Sequence, residues 1–145
     1  MSKPAERTAE HFGVPWEGIY GYAQAVKHGD TIYVSGQLSH DGDQLVAPAP
    51  VGEDGTVKDF SAMEAQMRRT YENAAELLGR YGATLDDVVE EVLYVLDVDA
   101  AFAVAGTVRK AAYGREDPQV ASTMLATPRL AFPEQLIEIK LIARV

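Results

Sequence analysis

The spacing of apolar residues along the chain changes between a period of two and a period of three to four. Residues 19–36, "IYGYAQAVKHGDTIYVSG", alternate apolar and polar side chains on either side of Lys27-His28-Gly29-Asp30. This pattern predicts two strands joined by a short hairpin turn. The preceding residues 1–16 are rich in polar side chains and are expected to form a loose segment. Residues 40–60, with their Pro, Gly and Asp turn signals, are predicted to be mainly loop.

Two longer segments have the helical period. The first begins near Ser61, which has Glu64 three residues on and so matches the spacing of a capping box, and it continues to Gly82. Its apolar stripe recurs at steps of three and four and comprises Met63, Met67, Thr70, Tyr71, Ala74, Leu77, Leu78 and Tyr81. The second helix is predicted from a cap at Asp97 or Asp99 to Gly114, with a buried stripe of Phe102, Ala105, Val108 and Ala112.

Three further segments, residues 88–96, 120–126 and 136–145, are predicted to be strands. The order β-β-α-β-α-β-β indicates a single α+β domain over residues 1–145, in which both helices cover one face of a mixed sheet. Alternation in the last strand sets Ile137, Ile139 and Leu141 on one face, and Leu136, Glu138, Lys140 and Ile142 on the other. Because both faces are largely apolar, the uncovered face of the sheet is expected to be buried by self-association.

Composition narrows the classes of function. The 145 residues include 13 Lys and Arg against 22 Asp and Glu, a net charge of −9, which disfavours nucleic acid or an anionic membrane as the main partner. With no cysteine, the chain has neither a disulfide nor a thiol nucleophile. No apolar run approaches the roughly 20 residues that span a bilayer, and the first residues lack the apolar core of a secretory signal. A cytoplasmic protein is therefore the expectation.

Glu138 is the first candidate for chemistry. It lies mid-strand between Ile137 and Ile139, where burial of an unpaired carboxylate is costly. Two interpretations are open. The carboxylate either pairs with Lys140 on the same strand face or lies at an exposed edge, or it is held in a partly apolar cleft where it orients water or moves a proton.

The stretch Ser35-Gly36-Gln37 and the pair His40-Asp41 are weaker candidates. Gly36 either marks a bulge, or lets a ligand approach the backbone while its N–H and Ser35 offer hydrogen bonds. His40-Asp41 is typical of a turn more often than of a base with its orienting partner. The three histidines lack metal-ligand spacing, and the chain has no phosphate-binding glycine loop or serine elbow, so no metal or cofactor is predicted. The acidic positions are expected to be solvated: Asp86, Asp87, Glu90 and Glu91.

The order and spacing of three segments resemble the Rid (YjgF/YER057c/UK114) family, also called reactive intermediate deaminases. The segments are "YAQAVKHGDTIYVSGQ", "MEAQMRRTYENAAELLGRYGATLDDVVEEVLYVLD" and "PEQLIEIKLIA", and the similarity covers roughly residues 19–145. The resemblance implies a chorismate-mutase-like fold assembled as a homotrimer with three clefts between subunits. It also implies hydrolysis of reactive enamines and imines to carbonyl compounds and ammonia without a cofactor.

The resemblance assigns roles to four residues of this chain. Tyr22 corresponds to the family's cleft-facing tyrosine near the end of the first strand, and Ser35 and Gly36 correspond to its Ser-Gly pair. Glu138 corresponds to the glutamate that is credited with positioning the attacking water.

One position departs from the deaminase branch of the family. In that branch an arginine in a "P-x-R-[ST]" stretch binds the substrate carboxylate. Here the stretch is Pro118-Gln119-Val120-Ala121-Ser122-Thr123, and Ala121 or Ser122 takes the place of the arginine, depending on a one-residue gap. Ser122 and Thr123 offer only neutral hydroxyls. The spacing of Arg115 and Arg129 does not support direct replacement, so the chain resembles an arginine-lacking branch.

The sequence therefore predicts a protein that binds a small organic molecule in intersubunit clefts and hydrolyses or tautomerises an imine or enamine. Glu138 is the predicted catalytic residue, and the predicted substrate-binding residues are Tyr22, Ser35, Gly36, Ser122 and Thr123. The alternative from another class is a non-catalytic sensor or partner-binding protein that uses the same clefts. An endoribonuclease-like activity fits poorly with the net charge of −9.

Overall fold

The computed structural model describes residues 4–145, which form three α-helices and eight β-strands. The strands are β1 Arg7–Glu10, β2 Ala25–His28, β3 Thr31–Gln37, β4 His40–Asp41, β5 Gln44–Leu45, β6 Val88–Val95, β7 Ala121–Ala126 and β8 Ile137–Arg144. The helices are α1 Pro15–Tyr20, α2 Met63–Gly79 and α3 Val98–Tyr113, and a single 3-10 turn at Leu85–Asp87 precedes β6. Within the described part of the chain, no helix is long and apolar enough to cross a bilayer.

Six strands form one sheet in the order β1-β2-β3-β8-β6-β7. Neighbouring strands run antiparallel except β6 and β7, which are parallel and are connected through α3. Strands β4 and β5 form a separate two-stranded hairpin. The predicted mixed sheet of an α+β fold is confirmed.

Helices α2 and α3 cover one face of the sheet, and the hydrophobic core lies between them and the strands. In β8 the odd-numbered residues Ile137, Ile139 and Leu141 are fully buried in this core. From α2, Met67 and Leu77 reach the same layer and are also fully buried. Each large apolar side chain buried in this way contributes roughly 1.5–3 kcal/mol to folding, so the periodicities that predicted these elements also fix how they pack.

The ends of α3 follow the sequence signals, and its buried stripe agrees with the prediction at Ala105 and Val108 but not at Phe102. The Asp97 carboxylate accepts a hydrogen bond from the backbone N–H of Asp99, and Gly114 ends the helix at a φ of 69°. Ala101, Ala105 and Val108 are buried, whereas Phe102 is 66% exposed. The prediction for Phe102 is wrong because each helical residue turns the side chain by about 100°, which directs Ala101 into the core instead.

The start of α2 differs from the capping box predicted at Ser61 and Glu64. The first cap position is Ala62, and no side chain caps the helix. Instead, the backbone N–H of Ser61 donates to the Asp59 carboxylate in the preceding turn. Helix α2 ends at Gly79, and Gly82 adopts a φ of 75° in the turn that follows it.

The amino-terminal region is more ordered than its composition predicted. Strand β1 pairs with β2 along the edge of the sheet, so the expectation of a loose segment is wrong for residues 7–10. The predicted first strand is also too long, because its first residues lie in α1, which ends at Gly21 with a φ of 74°. The carboxylate of Glu17 in α1 accepts hydrogen bonds from the backbone N–H groups of Phe12 and Gly13 and so holds the loop before the helix. Residues 1–3 of the expected loose segment lie outside the described residues.

The sheet face opposite α2 and α3, called the open face below, presents three rows of side chains across β7, β6 and β8. The rows are Ala121–Glu90–Ile142, Thr123–Val92–Lys140 and Leu125–Tyr94–Glu138. Tyr33 on β3 continues the first row. Tyr33 is 48% and Leu125 42% exposed, so this largely apolar face is available for contact with another molecule.

Candidate functional site

Glu138 lies on the open face, near the start of the central strand β8. Its cross-strand neighbour on β6 is Tyr94, and Leu125 on β7 lies beyond Tyr94 in the same row. The carboxylate is therefore carried by a central strand and has an aromatic side chain as its cross-strand neighbour. This is the partly apolar setting in which a carboxylate can act as a base.

The other wall of the Glu138 site is the backbone of Gly36. Strand β3 has an irregular register between Val34 and Gln37, as the bulge interpretation predicts. A Cβ atom added at Gly36 would lie 2.5 Å from Cδ and 2.8 Å from Cγ of Glu138. Only a glycine leaves room for the carboxylate at this point, so the bulge and the close approach are features of one arrangement.

Replacing Gly36 by alanine is expected to displace the Glu138 side chain while leaving the fold intact. The added methyl group meets the far end of a flexible side chain, which can rotate away at little cost to stability. We expect activity at this site to fall about a hundredfold, the usual effect of misplacing a catalytic group by about 1 Å, with circular dichroism unchanged. Gly106→Ala is the matched control, since a Cβ atom there meets nothing within 4 Å. Full activity in Gly36→Ala would contradict this geometry.

The protonation of Glu138 is set mainly by burial. Burial raises the pKa of its carboxyl above the usual value, and a hydrogen bond with the Gln135 side chain offsets part of that effect. Within residues 4–145, no ion pair involves Glu138, so the alternative interpretation, in which it pairs with Lys140, does not hold. A carboxylate whose pKa is raised in this way is a better proton acceptor than an ordinary carboxylate.

Tyr22 lies near this carboxylate, although not on a strand as the resemblance implied. It follows α1 in the connection to β2 and is 37% exposed. Burial is the main cause of the raised pKa of the Tyr22 hydroxyl, and the negative charges of Glu17 and Glu138 raise it further. The hydroxyl therefore stays protonated at neutral pH and can donate a hydrogen bond. Tyr22 also borders an open groove of about 580 Å³, together with Glu17 and Gly21.

Ser35 is already engaged by the backbone. Its Oγ donates to the carbonyl of Ala23 at 2.7 Å, and its N–H donates to the carbonyl of Gln24 at 2.8 Å. The hydroxyl can thus only accept a hydrogen bond from a ligand. Beside it, the buried Gln37 amide donates to the Gln24 side chain, whereas Gln37 Oε1 has no hydrogen-bond partner among residues 4–145.

Ser122 and Thr123 lie on opposite faces of the sheet. Thr123 pairs with Val92 on the open face, whereas Ser122 pairs with Glu91 on the helix-covered face and accepts a hydrogen bond from Arg109 Nη2 at 3.1 Å. Ser122 therefore does not share the face of Glu138, unlike the predicted arrangement. The register also places Ala121 on the open face.

The two arginines on either side of this stretch, Arg115 and Arg129, make their contacts elsewhere. Arg115 forms ion pairs with Asp86 and Asp117 at the surface. Arg129 follows β7 and borders a separate pocket with Val57 and Phe60. Neither belongs to the rows of the open face that contain Glu138.

His40 is part of a buried aromatic cluster. Its ring makes edge contacts with Phe12 and Trp16 at centroid distances of 5.2 and 5.5 Å, and Nδ1 donates to the carbonyl of Gly42 at 2.9 Å. Burial lowers the pKa of the imidazole, so the ring stays neutral. Asp41 is exposed, and the pair itself forms strand β4. The turn expected in this segment lies at Gly42 and Asp43, between β4 and β5.

Glu91 is a buried ionisable residue that sequence reasoning missed. It is fully buried, not solvated as expected, and its carboxylate accepts hydrogen bonds from Tyr71 at 2.6 Å, from Tyr113 at 3.2 Å and from Arg109 Nε. Burial and the charge of Glu91 raise the pKa of both tyrosines, which remain protonated donors. The cluster ties both long helices to β6 on the face away from Glu138.

Comparison with known proteins agrees with this architecture. A family model described as Endoribonuclease L-PSP matches residues 16–145. A RutC family protein of Pyrococcus abyssi (strain GE5 / Orsay) is 32% identical over 125 residues, which cover 84% of each chain. A YjgF/YER057c/UK114 family member from Mycobacterium tuberculosis has a solved structure with 30% identity and a TM-score of 0.75, over 97% of this chain and 100% of that one. RidA from the Antarctic bacterium Psychrobacter gives 25% identity and a TM-score of 0.69, over 99% and 100%.

The family match extends over most of the chain and includes both the Gly36 bulge and the strand that carries Glu138. The structural matches cover nearly the whole of both chains, so the fold is shared from end to end. The chain belongs to the YjgF/YER057c/UK114 family, also known as the Rid family.

Proposed function

We propose that this protein is a cytoplasmic homotrimer that hydrolyses an enamine or imine to a carbonyl compound and ammonia in clefts between its subunits. The observation that carries the proposal is the Glu138 carboxylate. It is unpaired among the described residues, has a raised pKa, and fits against the backbone of Gly36 on an apolar sheet face. Membership of the Rid family makes imine chemistry the natural reaction class for such a group.

The reaction needs only water as a co-reactant. An enamine first takes a proton at carbon and becomes an iminium ion, and water then adds to the C=N carbon. Glu138 accepts the proton that the attacking water loses and returns it to the nitrogen of the resulting carbinolamine. The C–N bond then breaks, ammonia leaves, and the remaining hydroxyl releases its proton as the carbonyl forms, which replaces the proton taken up at carbon in the first step. Tyr22, which stays protonated, would donate a hydrogen bond to the substrate.

The remaining contacts come from backbone and neutral groups. The backbone of Gly36 approaches the Glu138 side chain, so its N–H would be offered to the substrate, and the neighbouring Ser35 would offer its acceptor lone pairs. Thr123 on the open face would supply a hydroxyl, and Ser122 would act indirectly, through its place beside Thr123 on β7.

The assembly proposal rests on the composition of the open face. Tyr33, Val92, Leu125 and Ile142 lie there, and Tyr33 and Leu125 are largely exposed in the single chain. Covering these side chains with a second copy removes apolar surface from water, which is the usual driving force for obligate assembly. A cleft at such a junction would be completed by the neighbouring subunit.

The direct test supplies wild-type protein with 2-aminoacrylate and with imines generated from amino acids by an amino-acid oxidase. We expect carbonyl compound and ammonia to form faster than in the spontaneous reaction, and light scattering to give three times the 15.7 kDa chain mass. Binding of these compounds without faster hydrolysis would instead assign the cleft to a ligand sensor. A monomer at working concentrations would refute the intersubunit cleft.

A further inference from the structure

Gln135 is a buried amide that lies just before β8, three residues ahead of Glu138. Its side chain is 1% exposed, and both ends of the amide are engaged by the backbone. Nε2 donates to the carbonyl of Ile137 at 3.1 Å, and Oε1 accepts from the N–H of Phe132 at 3.4 Å. Because the nitrogen faces an acceptor and the oxygen faces a donor, these contacts define the orientation of the amide.

The contact with Ile137 leaves one N–H of Gln135 for another acceptor, since an amide nitrogen carries two hydrogens. The Gln135 side chain also donates a hydrogen bond to the Glu138 carboxylate. This is the one contact within residues 4–145 that offsets the effect of burial on the pKa of Glu138. A donated hydrogen bond favours the ionised carboxylate, which is the form that can accept a proton from water.

The backbone on both sides of Gln135 is fastened to helix α2 by Gln66. Gln66 Nε2 donates to the carbonyl of Glu134 at 2.9 Å, and Gln66 Oε1 accepts from the N–H of Leu136 at 2.8 Å. Gln66 is itself 2% exposed. The amide of Gln135 is therefore presented to Glu138 by a turn that is held from the helix layer.

The other groups around Glu138 do not hold its carboxylate. Tyr22 follows α1, Tyr94 lies opposite on β6, and β3 presents the backbone of Gly36. Lys140 shares the strand face, but within residues 4–145 it forms no ion pair with Glu138. A bound cation would strongly reduce the basicity of a carboxylate, whereas a neutral amide holds it with a smaller loss and donates at every pH.

We propose that Gln135 is the positioning residue for Glu138, holding the carboxylate in one conformation beside the Gly36 backbone. This inference rests on the proposed function for the role of Glu138, and it deepens that function by assigning a residue that acts through the base. Gln135 neither touches the substrate nor transfers a proton. The contribution is one of orientation, because a catalytic group misplaced by about 1 Å can lose about a hundredfold in rate.

The first test uses wild-type protein and needs no substitution of Gln135. The side-chain amide resonances of Gln135 and the carboxyl carbon resonance of Glu138 are followed by NMR as the pH is changed. Both should shift with the same midpoint, because the charge on Glu138 alters the hydrogen bond. Glu138→Gln should abolish the shift at Gln135. Amide resonances that do not respond to Glu138 would overturn the inference.

The second test removes the donor with Gln135→Met, which keeps the length of the side chain but offers no N–H. The pKa of Glu138 should rise further, because burial remains and the hydrogen bond that opposes it is lost. The acidic limb of activity should therefore move to higher pH. We expect kcat to fall about tenfold to a hundredfold with little change in KM.

Asn73→Leu is the matched control for the loss of a buried amide. Asn73 on α2 donates to the carbonyls of Leu38 and His40 and is 3% exposed. Its removal should lower the urea midpoint, as Gln135→Met does, but it should leave kcat and the titration of Glu138 unchanged. A purely structural role for Gln135 would make the two variants alike.

The outcomes separate this inference from the proposed function. Coupled titration of Gln135 and Glu138 in a wild-type protein that hydrolyses no imine would keep Gln135 as the residue that positions Glu138 and would refute the hydrolase proposal. Hydrolysis that depends on Glu138 without that coupling would do the reverse. An acidic limb that does not move in folded Gln135→Met would also overturn the inference, even if kcat falls, since that result assigns Gln135 to the fold alone.

Discussion

Replacing Glu138 by glutamine is expected to reduce imine hydrolysis by about a hundredfold to ten-thousandfold, the usual contribution of a general base. Glutamine keeps the size of the side chain and its fit against Gly36, but it cannot accept a proton from water. Glu138→Ala should remove turnover to the same extent, because the loss comes from the carboxylate and not from a change of shape. The measurement is the rate of ammonia release from an amino-acid-derived imine above the spontaneous background.

Stability supplies the control for this variant. The folded protein holds a partly buried, unpaired carboxylate at position 138, which opposes folding when it is ionised. Glu138→Gln should therefore unfold at the same or a higher urea concentration than wild type and keep the same mass in solution. Glu76→Gln, which makes the same chemical change on the exposed surface of α2, should retain full activity. Wild-type kinetics in Glu138→Gln would exclude Glu138 from the mechanism.

The pH profile gives a second measurement on the same pair of proteins. The pKa of Glu138 is raised above 4.5 in the folded protein, mainly by burial. As the pH falls through that raised value, the carboxylate gains a proton and can no longer accept one from water. Wild-type activity should therefore decline on an acidic limb centred above pH 4.5, and the residual activity of Glu138→Gln should lack that limb.

The long elements of this fold were predictable because their signals are local. Helix α3 is set by the Asp97 cap and by Gly114, and α2 is set by an apolar stripe that repeats over four turns. The amino-terminal region was not predictable in the same way. The alternation around Tyr20 and Tyr22 matches a strand, but Glu17 ties the preceding loop to a helix turn through two backbone N–H groups. A contact of that kind leaves no periodic trace in the sequence.

The residues of the candidate site also differ in whether a local signal in the sequence could predict them. Glu138 and Gly36 could be selected from the sequence because a carboxylate and a glycine are both unusual inside strands, and the structure places them in contact. Strand alternation alone puts Ser122 and Thr123 on opposite faces. Which of them shares the face of Glu138 depends on the register of β7 against β6, which only the assembled sheet defines. Glu91 could have been found from strand alternation alone, because it has the same parity as Leu93 and Val95, both fully buried. It was instead expected to be solvated because neighbouring positions are also acidic.

Truncating Glu91 to alanine is expected to produce the largest loss of stability of any single change considered for this protein. Removal of one partner from a buried ion pair typically costs 3–5 kcal/mol. Here it would leave Arg109 without its carboxylate, and it would leave the hydroxyls of Tyr71 and Tyr113 without an acceptor. Urea unfolding at fixed protein concentration should show the loss as a lower midpoint with an unchanged slope.

A surface variant and a double variant separate the contributions to the stability of the Glu91 cluster. Glu64→Ala removes a carboxylate from an exposed ion pair with Arg68 on α2 and should change stability by less than about 1 kcal/mol. Glu91→Leu alone leaves the Arg109 guanidinium without its carboxylate. The double variant Glu91→Leu with Arg109→Met also removes that charge, so it should be more stable than Glu91→Leu alone. Equal stability of the single and double variants would mean that the unpaired tyrosines, and not Arg109, dominate the penalty. A loss below about 1 kcal/mol in Glu91→Ala would show that the cluster does not hold α2 and α3 to the sheet.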